Sequence, residues 1–460
     1  MEHMTVNDIV KAVNGRLLCG DGEMELANIS IDSRTMKGKD LFVPLIGEKV
    51  DAHRFIDGAF SAGAAAVLTS EHEEMKDEHP WIRVEDTKKA LQDIGSYYRK
   101  RLDLPLVGIT GSVGKTTTRE MIAAALSAGY CVYKTPGNSN SQVGVPITLS
   151  QITAEDEIGV LELGMSMPGE LTVIAKIANV DMAVITNVGI THIEQLGSQE
   201  NIYREKLTIQ DGLKDGGILF LNGDDPMLKD TKAKEGCTTV YYGTGEHCDY
   251  RAEEIRLEQG FPVFTAVCRG QRIPMRLKVM GRHNVLNAIV AMAVADANHV
   301  SLQKAAEKIG EFDGFQNRQQ IYDCNGITVL DDTYNASPVS MIAGLEVLHS
   351  MKGSGKKIAV LADMKELGPD SPRYHREIGI WLKEHPVDVL YTLGALAKEI
   401  ETAVLEAGDS CTCVHFEADD RQGLYESLLN ILQPGDCVLL KGSNSMRLSE
   451  VSAKLIHPQK

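Results

Sequence analysis

The residues best suited to chemistry lie in one glycine-rich segment, GITGSVGKTTT, at residues 108–118. The apolar run before it predicts a strand, and the run TTTREMIAAAL after it predicts a helix. A glycine-rich turn that leads into a helix directs backbone N–H groups and the positive end of the helix dipole toward an anion. Lys115 would add a positive charge at the terminal phosphates of a nucleotide, and the Thr116 hydroxyl would bind Mg²⁺. The other residues predicted to bind the nucleotide here are Gly111, Ser112, Gly114 and Thr117.

The spacing of this segment differs from the common phosphate loop, which has four residues between its first glycine and the Gly-Lys pair. Gly108 and Gly114 are separated by five residues. Gly111 can open the turn instead of Gly108, which gives a shorter signature, G-x-x-G-K-T. The alternative interpretation is a tight turn with a solvent-facing lysine.

Polar residues also follow other apolar runs, at the points where strands are predicted to end. Glu162 follows GVLEL, and His192 lies in the loop after MAVITNVG. In parallel sheets, ligands bind at the carboxyl ends of the strands. A carboxylate there is a suitable Mg²⁺ ligand, whereas the residue types alone leave His192 open to a packing role.

The predicted strands and helices that position these side chains fall into three domains. In the 460-residue chain we place their limits at 1–100, 101–315 and 316–460. The first mixes short strands with small helices. The second has buried apolar strands separated by helices, which is typical of a mainly parallel sheet. The third repeats this alternation independently. We therefore predict an α/β protein with a small α/β N-terminal domain, a central parallel-sheet domain of the P-loop ATPase type and a Rossmann-like C-terminal domain.

The net charge of the chain argues against some classes of binding partner. The chain carries 64 acidic and 47 basic residues, a net charge of −17, which argues against a nucleic-acid binder or an anionic-membrane binder. It has no apolar run long enough for a membrane span and no signal-peptide pattern at its start. Its nine cysteines lack zinc-site spacing. These features predict a soluble, cytoplasmic protein, and local basic clusters could still bind anionic small substrates.

Further segments, spread over nearly the whole chain, match a known family. They are TPGNSNSQVGVPITL (135–149), LELGMSMPGEL (161–171), ITNVGITHIEQLGSQENIYREK (185–206), GRHNVLNAIVA (281–291), NRQQIY (317–322), VLDDTYNASP (329–338), LADMKELG (361–368) and LLKGSNSMRLSEV (439–451). With the G-x-x-G-K-T loop, they resemble the ATP-dependent Mur ligases of peptidoglycan synthesis. The forms DDTYNASP and ADMKELG look most like the member that joins D-alanyl-D-alanine to UDP-N-acetylmuramoyl-tripeptide.

The resemblance implies a reaction and its cofactors. ATP would phosphorylate the terminal carboxylate of the tripeptide, and an amine would then attack the acyl phosphate to form an amide. Two Mg²⁺ ions are implied, with ligands from Thr116, Glu162, His192 and Lys206. Lys206 would be carbamylated, with Lys214 as a weaker candidate. The family is usually monomeric.

The resemblance also assigns binding residues, although the residues alone leave simpler roles open, such as a surface turn or a helix cap. The implied ATP contacts are Asn284, Arg318, Asp332, Tyr334 and Asn335. The implied contacts of the UDP-sugar peptide are Ser30, Asp32, Ser33, Arg34 and His53 in the first domain, and Asn138, Asn140 and Ser141 in the second. The dipeptide carboxylate would meet Lys441, Ser443 and Asn444.

Three alternatives compete with this prediction. A Mur ligase that adds a diamino acid would be expected to carry an arginine-containing recognition loop where this chain reads ADMKELGPDSP. A folylpolyglutamate synthase would not need a first domain with the segments IDSR and LIGEK. A phosphate-loop switch protein would hydrolyse nucleotide without an acceptor amine, and would not need Glu162, His192 and Lys206 together.

Overall fold

The computed structural model describes residues 1–406, 408 and 411–457. Three large sheets, each flanked by helices, follow one another along the chain beside a small two-stranded one, and the predicted α/β class is confirmed. Among the described residues, none of the helices combines the length and apolar character that a bilayer span requires.

The N-terminal sheet has five strands in the order β2-β7-β6-β5-β4, and β1 pairs separately with β3. The strands are β1 (Met4–Thr5), β2 (Arg16–Cys19), β3 (Glu25–Leu26), β4 (Asn28–Ser30), β5 (Asp40–Phe42), β6 (Ala64–Thr69) and β7 (Trp81–Arg83). The helices are α1 (Val6–Val13), α2 (Ile56–Ser61) and α3 (Thr87–Arg99), with a 3-10 turn at Ala52–Phe55. At the end of α3, the buried Arg99 donates to the backbone oxygen of Ala178 at 2.9 Å, which ties this domain to the central one.

The central sheet has nine strands in the order β16-β15-β14-β13-β12-β11-β8-β10-β9. They are β8 (Leu106–Thr110), β9 (Val132–Lys134), β10 (Ile158–Glu162), β11 (Val180–Ile185), β12 (Leu213–Asn222), β13 (Thr238–Gly243), β14 (Tyr250–Glu258), β15 (Phe261–Cys268) and β16 (Gln271–Arg276). The strands from β9 to β14 run parallel, and β15 and β16 add an antiparallel ribbon at one edge. Because β8 is central and every residue of it is buried, the loop that follows it starts from a fixed point.

Helices cover both faces of this sheet. They are α4 (Lys115–Leu126), α5 (Gly144–Ser150), α6 (Glu170–Ala178), α7 (Ile193–Leu196), α8 (Gln199–Leu207), α9 (Asn284–Ala297) and α10 (Leu302–Glu311), with a 3-10 turn at Thr208–Gly212. Helix α9 is apolar on nearly all sides, and it packs against α4 in the core. A helix of this composition is stable only when it is enclosed, so it anchors the phosphate-loop helix from behind.

The C-terminal sheet has six strands in the order β17-β18-β22-β19-β20-β21, all parallel except β17. They are β17 (Gln320–Cys324), β18 (Ile327–Asp332), β19 (Lys357–Ala362), β20 (Val389–Leu393), β21 (Thr412–Phe416) and β22 (Cys437–Lys441). The helices are α11 (Pro338–Ser350), α12 (Ser371–Glu384), α13 (Lys398–Glu406), α14 (Arg421–Ile431) and α15 (Leu448–Ile456), with 3-10 turns at Gly368–Asp370 and Asn444–Met446. The carboxyl ends of β18 and β22 therefore lie side by side.

Candidate active site

The glycine-rich loop is opened by Gly111 rather than by Gly108. Gly108 lies inside β8, whereas Gly111 has a φ of +150° and Gly114 a φ of +86°. A Cβ atom added at Gly111 would lie 1.8 Å from Oγ1 of Thr186, so no larger residue fits there. The five residues between Gly108 and Gly114 are thus explained, because Gly108 belongs to β8 and not to the loop.

Asn187, at the end of β11, holds the loop from the side. Its Oδ1 accepts from the backbone N–H of Val113 at 3.0 Å, and its Nδ2 donates to the Val113 carbonyl at 2.9 Å. The backbone N–H of Ser112 donates to the Asn187 carbonyl at 3.1 Å. Sequence reasoning gave Asn187 no role, because this pairing joins residues that are 74 positions apart in the chain.

Lys115 begins α4, directly after the loop. Its Nζ atom donates to the Gly111 carbonyl at 2.8 Å, across the concave side of the turn. Desolvation lowers the pKa of this amine; Glu162 acts in the opposite direction, and Arg318 lowers it further. The loop N–H groups, the helix N-terminus and this amine together form a site for phosphate.

Glu162, at the end of β10, is 1% exposed and lies next to the loop. Its Oε2 accepts from the Thr116 hydroxyl at 2.9 Å, and its Oε1 accepts from Nδ2 of Asn140 at 2.9 Å. A buried carboxylate beside a hydroxyl offers the hard oxygen ligands that Mg²⁺ requires. Thr116 and Glu162 therefore fit the metal that the sequence predicted for them.

Arg119, one turn into α4, was missed by the sequence reasoning. Its guanidinium is buried, lies 3.4 Å from Oε2 of Glu162 and forms two hydrogen bonds to Oε1 of Glu120, at 2.7 and 3.1 Å. It also donates to the Gly137 carbonyl at 3.0 Å, and it lies 5.5 Å from the ring centre of Phe315. It joins the Glu162 carboxylate to the loop that carries Asn138 and to Phe315, where the central segment ends.

His192 precedes α7 and has a left-handed backbone, with a φ of +65°. Its Nδ1 atom lies against the carboxylate of Glu366 in the C-terminal domain. This contact holds the pKa of the Glu366 carboxyl below its usual range. Glu366 had no assigned role in the sequence, although it lies in the quoted segment LADMKELG.

Lys206, on α8, is 2% exposed. Burial, together with the charge of Lys115, holds the pKa of its amine well below the usual range. The rival Lys214 pairs with Asp181 at 2.8 Å, at the amino end of β11 and therefore at the edge of the sheet opposite His192. The structure thus separates the two lysines by environment, and only Lys206 has an amine suited to being neutral.

Residues of α9 and of the C-terminal domain face the loop. Nδ2 of Asn284 donates to the Met280 carbonyl at 2.7 Å, and its Oδ1 accepts from Asn287 at 3.0 Å. Across the cavity, the guanidinium of Arg318 lies 3.9 Å from the ring centre of Tyr334. A cation stacked in this way against an aromatic ring is held in a fixed orientation.

Lys441 lies at the end of β22 and is 1% exposed. Its Nζ atom donates to Oδ2 of Asp332 at 2.7 Å and to the Asn335 carbonyl at 3.0 Å. Both contacts belong to the chain itself, so the amine that the sequence offered to the dipeptide carboxylate is already engaged. Ser443 accepts from the Lys365 N–H at 2.9 Å, and Asn444 begins the following 3-10 turn.

One cavity of about 1080 Å³ brings most of the predicted residues together. Those that line it are Ser112, Gly114, Lys115, Thr117, Asn138, Asn140, Ser141, Glu162, His192, Asn284, Arg318, Asp332, Tyr334, Asn335, Lys441, Ser443 and Asn444. Gly111, Thr116 and Lys206 are not lining residues, although each lies behind or beside one that is. The cavity thus has one wall from the central domain and one from the C-terminal domain.

The first-domain residues are placed apart from this cavity. The side chains of Asp32 and Arg34 pair with each other at 2.6 Å, and this pairing lowers the pKa of Asp32 to about 2. Ser30 lines a separate cavity of about 260 Å³ at the junction with the central domain. His53 is buried, with Nδ1 2.7 Å from Asp51, and Ser33 adjoins the Asp32–Arg34 turn.

Models of three Mur ligase domains match the chain in order: the Mur ligase family catalytic domain at residues 25–99, the Mur ligase middle domain at 109–295 and the Mur ligase glutamate ligase domain at 317–444. The UDP-N-acetylmuramoyl-tripeptide--D-alanyl-D-alanine ligase of Bacillus subtilis is 36% identical over 98% of both chains. The chain belongs to the Mur ligase family. The likeness runs over its whole length.

Two crystal structures extend this likeness to three dimensions. MurF from Acinetobacter baumannii has a TM-score of 0.88 at 29% identity and covers 98% of both chains. MurF ligase from Thermotoga maritima, in complex with ADP, has a TM-score of 0.82 at 28% identity and covers 93% of this chain and 96% of its own. As a Mur ligase, the chain is an ATP-dependent, ADP-forming enzyme.

Proposed function

We propose that this chain joins D-alanyl-D-alanine to UDP-N-acetylmuramoyl-tripeptide, the last cytoplasmic step in making the peptidoglycan precursor. The observation that carries this proposal is the shared cavity. The phosphate loop and Glu162 line one wall, and the segments after β18 and β22 line the other. An ATP-driven ligation needs this arrangement, because the nucleotide and the acceptor must meet at one carboxylate.

The chain's own residues hold the nucleotide from both sides. The N-terminus of α4 and Lys115 bind the phosphates, and Arg318, stacked on Tyr334, approaches from the C-terminal domain. Asn284, at the start of α9, lines the same cavity, and its amide is held by the Met280 carbonyl and by Asn287. Because ATP would contact both walls of the cavity, its binding would be coupled to closure of the central and C-terminal domains.

We assign two metal positions from the types of donor atom. Thr116 and Glu162 would hold the first Mg²⁺, and His192 and Lys206 the second. Lys206 would contribute as a carbamate, because a buried neutral amine can attack CO₂ whereas an ammonium cannot. When bound, the ions would offset negative charge on the transferring phosphoryl group.

The reaction forms one bond at each of two steps. An oxygen of the tripeptide carboxylate attacks the γ-phosphorus of ATP, the bond to the β–γ bridging oxygen breaks, and ADP leaves. The dipeptide nitrogen then attacks the acyl carbon, the C–O bond to phosphate breaks, and the nitrogen loses a proton. Lys115 stabilises charge on the transferring group, and closure of the cavity between the domains would limit attack by water.

The substrates are divided among the three domains. We assign residues 1–100 to the UDP-sugar peptide, 101–315 to ATP and 316–460 to ATP and the dipeptide. The UDP-sugar peptide would run between two cavities. One end would lie at the second cavity, beside Ser30, and the other at the main cavity, beside Asn138, Asn140 and Ser141. We further propose that the enzyme is a monomer in the cytoplasm, which size-exclusion chromatography with light scattering tests.

Phosphate release from ATP tests the proposal when UDP-N-acetylmuramoyl-tripeptide is present and the acceptor is varied. D-alanyl-D-alanine should support rapid release, and glutamate or a diamino acid should not. Strong release with a diamino acid, but none with the dipeptide, would assign the chain to another Mur ligase. Release that is independent of every acceptor would indicate a nucleotide switch.

A further inference from the structure

The loop before α7 and the segment before α12 form a small contact between the central and C-terminal domains. The backbone N–H of Glu194 donates to the Glu366 carbonyl at 3.3 Å. Ile190 packs against the apolar core of the C-terminal domain, which includes Met364 and Leu367. The two segments are therefore docked by backbone and apolar contacts, independently of any charged side chain.

Within this contact, two side chains meet across the domain boundary. Nδ1 of His192 lies against the Glu366 carboxylate, and the two residues have φ values of +65° and +64°. Neither is a glycine, and a left-handed backbone costs such a residue on the order of 1 kcal/mol. Backbone strain of this kind is concentrated at functional sites. The backbone of both residues is thus held in a conformation that brings their side chains together across the boundary.

The chemistry of the pair points to that function. A histidine that binds a metal through one ring nitrogen donates the N–H of the other nitrogen to a carboxylate or carbonyl, which fixes the tautomer and the direction of the ring. Nδ1 of His192 is buried, has no hydrogen-bond partner among the described residues and lies against the Glu366 carboxylate. The tautomer with its proton on Nδ1 can donate to that carboxylate, and it leaves the lone pair on Nε2 free for a ligand. The four other carboxylates that line the cavity have partners elsewhere. Glu162 accepts from Thr116, Asp332 from Lys441, Glu170 from the Ser166 N–H and Asp225 from the Val188 N–H.

We propose that Glu366 of the C-terminal domain is a positioning residue for His192 of the central domain, so that the second metal position is completed when the two domains dock. This inference rests on the proposed function, which assigns a metal to His192. Docking of the C-terminal domain would bring the Glu366 carboxylate to His192 and so fix the orientation of the histidine ring. Before docking, the histidine ring would lack that support.

The test measures metal binding directly. Mn²⁺ is titrated into the enzyme with a non-hydrolysable ATP analogue and UDP-N-acetylmuramoyl-tripeptide, and free Mn²⁺ is followed by electron paramagnetic resonance. We expect Glu366→Gln to weaken one of two Mn²⁺ sites by about 10- to 100-fold, the usual effect of losing such a partner. The matched control is Glu194→Gln, which removes an exposed carboxylate from the same contact but keeps its backbone N–H; it should leave both sites unchanged.

A second variant separates positioning from stability. Glu366→Gly removes the carboxylate and also relaxes the left-handed backbone, so its melting temperature should equal or exceed that of Glu366→Gln while Mn²⁺ binding is weakened to the same extent. Unchanged Mn²⁺ binding in both variants, or a raised KM for D-alanyl-D-alanine alone, would overturn the inference. If the unmodified enzyme binds a single Mn²⁺, the metal assignment in the proposed function fails instead.

Discussion

Lys441 offers a sharp test of how the site is built. The sequence assigned its amine to the dipeptide carboxylate, whereas in the structure the amine binds Asp332 and the Asn335 carbonyl. Lys441→Met keeps an unbranched side chain of similar length beside Gly344 and Leu439 but removes the charge. Asp332, 7% exposed, would then be a buried carboxylate without its cation. Breaking a buried pair in this way costs about 3–5 kcal/mol.

The stability of the C-terminal domain can be measured by tryptophan fluorescence. The chain has two tryptophans, Trp81 in the N-terminal sheet and Trp381 on α12. In a Trp81→Phe background, the fluorescence of Trp381 reports urea unfolding of the C-terminal domain alone, which is needed because a three-domain chain does not unfold in one step. We expect Lys441→Met to lower the free energy of unfolding of that domain by about 3–5 kcal/mol.

The double variant Asp332→Asn/Lys441→Met completes the experiment. If the two groups form one buried pair, replacing both should recover much of the loss, because no charge is left buried and unpaired. A change of less than about 0.5 kcal/mol in Lys441→Met, the size expected for an exposed position, would refute the reasoning. Combined with a raised KM for the dipeptide, it would restore Lys441 as a substrate contact.

Three further predictions concern the phosphate loop, Lys206 and a buried histidine. Gly111→Ala should weaken ATP binding by at least ~10-fold in isothermal titration calorimetry, because its Cβ would overlap Thr186. The control is Gly58→Ala, where a Cβ has open space and the backbone is not left-handed. Enzyme equilibrated with ¹³C-bicarbonate should show a carbamate carbon resonance that Lys206→Arg lacks, since the low pKa of Lys206 leaves a nucleophilic amine. Burial lowers the pKa of His375, so its contribution to stability is present above its unfolded pKa near 6.5 and is lost as the pH falls through the lower folded value. His375→Gln should therefore flatten the acid side of the stability profile read from Trp381.

Local sequence patterns predicted the parts of the site that a single strand–loop–helix unit determines. Gly111 and Lys115 follow the buried strand β8, Glu162 ends the buried strand β10, and the apolar runs of both strands are visible in the sequence. The α/β class followed from the same periodicity. These predictions needed no knowledge of which distant segments meet.

The pattern could not reveal partners that come from other parts of the chain. Lys441 and Asp332 are 109 residues apart, and the contact of His192 with Glu366 crosses a domain boundary. Arg119 looks like an ordinary helix residue until the fold buries it beside Glu162. In each case the tertiary contact, rather than the residue type, determines the role.

The central claim is that ATP activates a carboxylate as an acyl phosphate, and isotope transfer tests it most directly. UDP-N-acetylmuramoyl-tripeptide labelled with ¹⁸O in its terminal carboxylate is incubated with ATP, Mg²⁺ and D-alanyl-D-alanine, and the released phosphate is analysed by mass spectrometry. The account predicts one ¹⁸O atom in each phosphate released, together with the pentapeptide product. Unlabelled phosphate would contradict the account, because the phosphoryl group would then have been transferred to water.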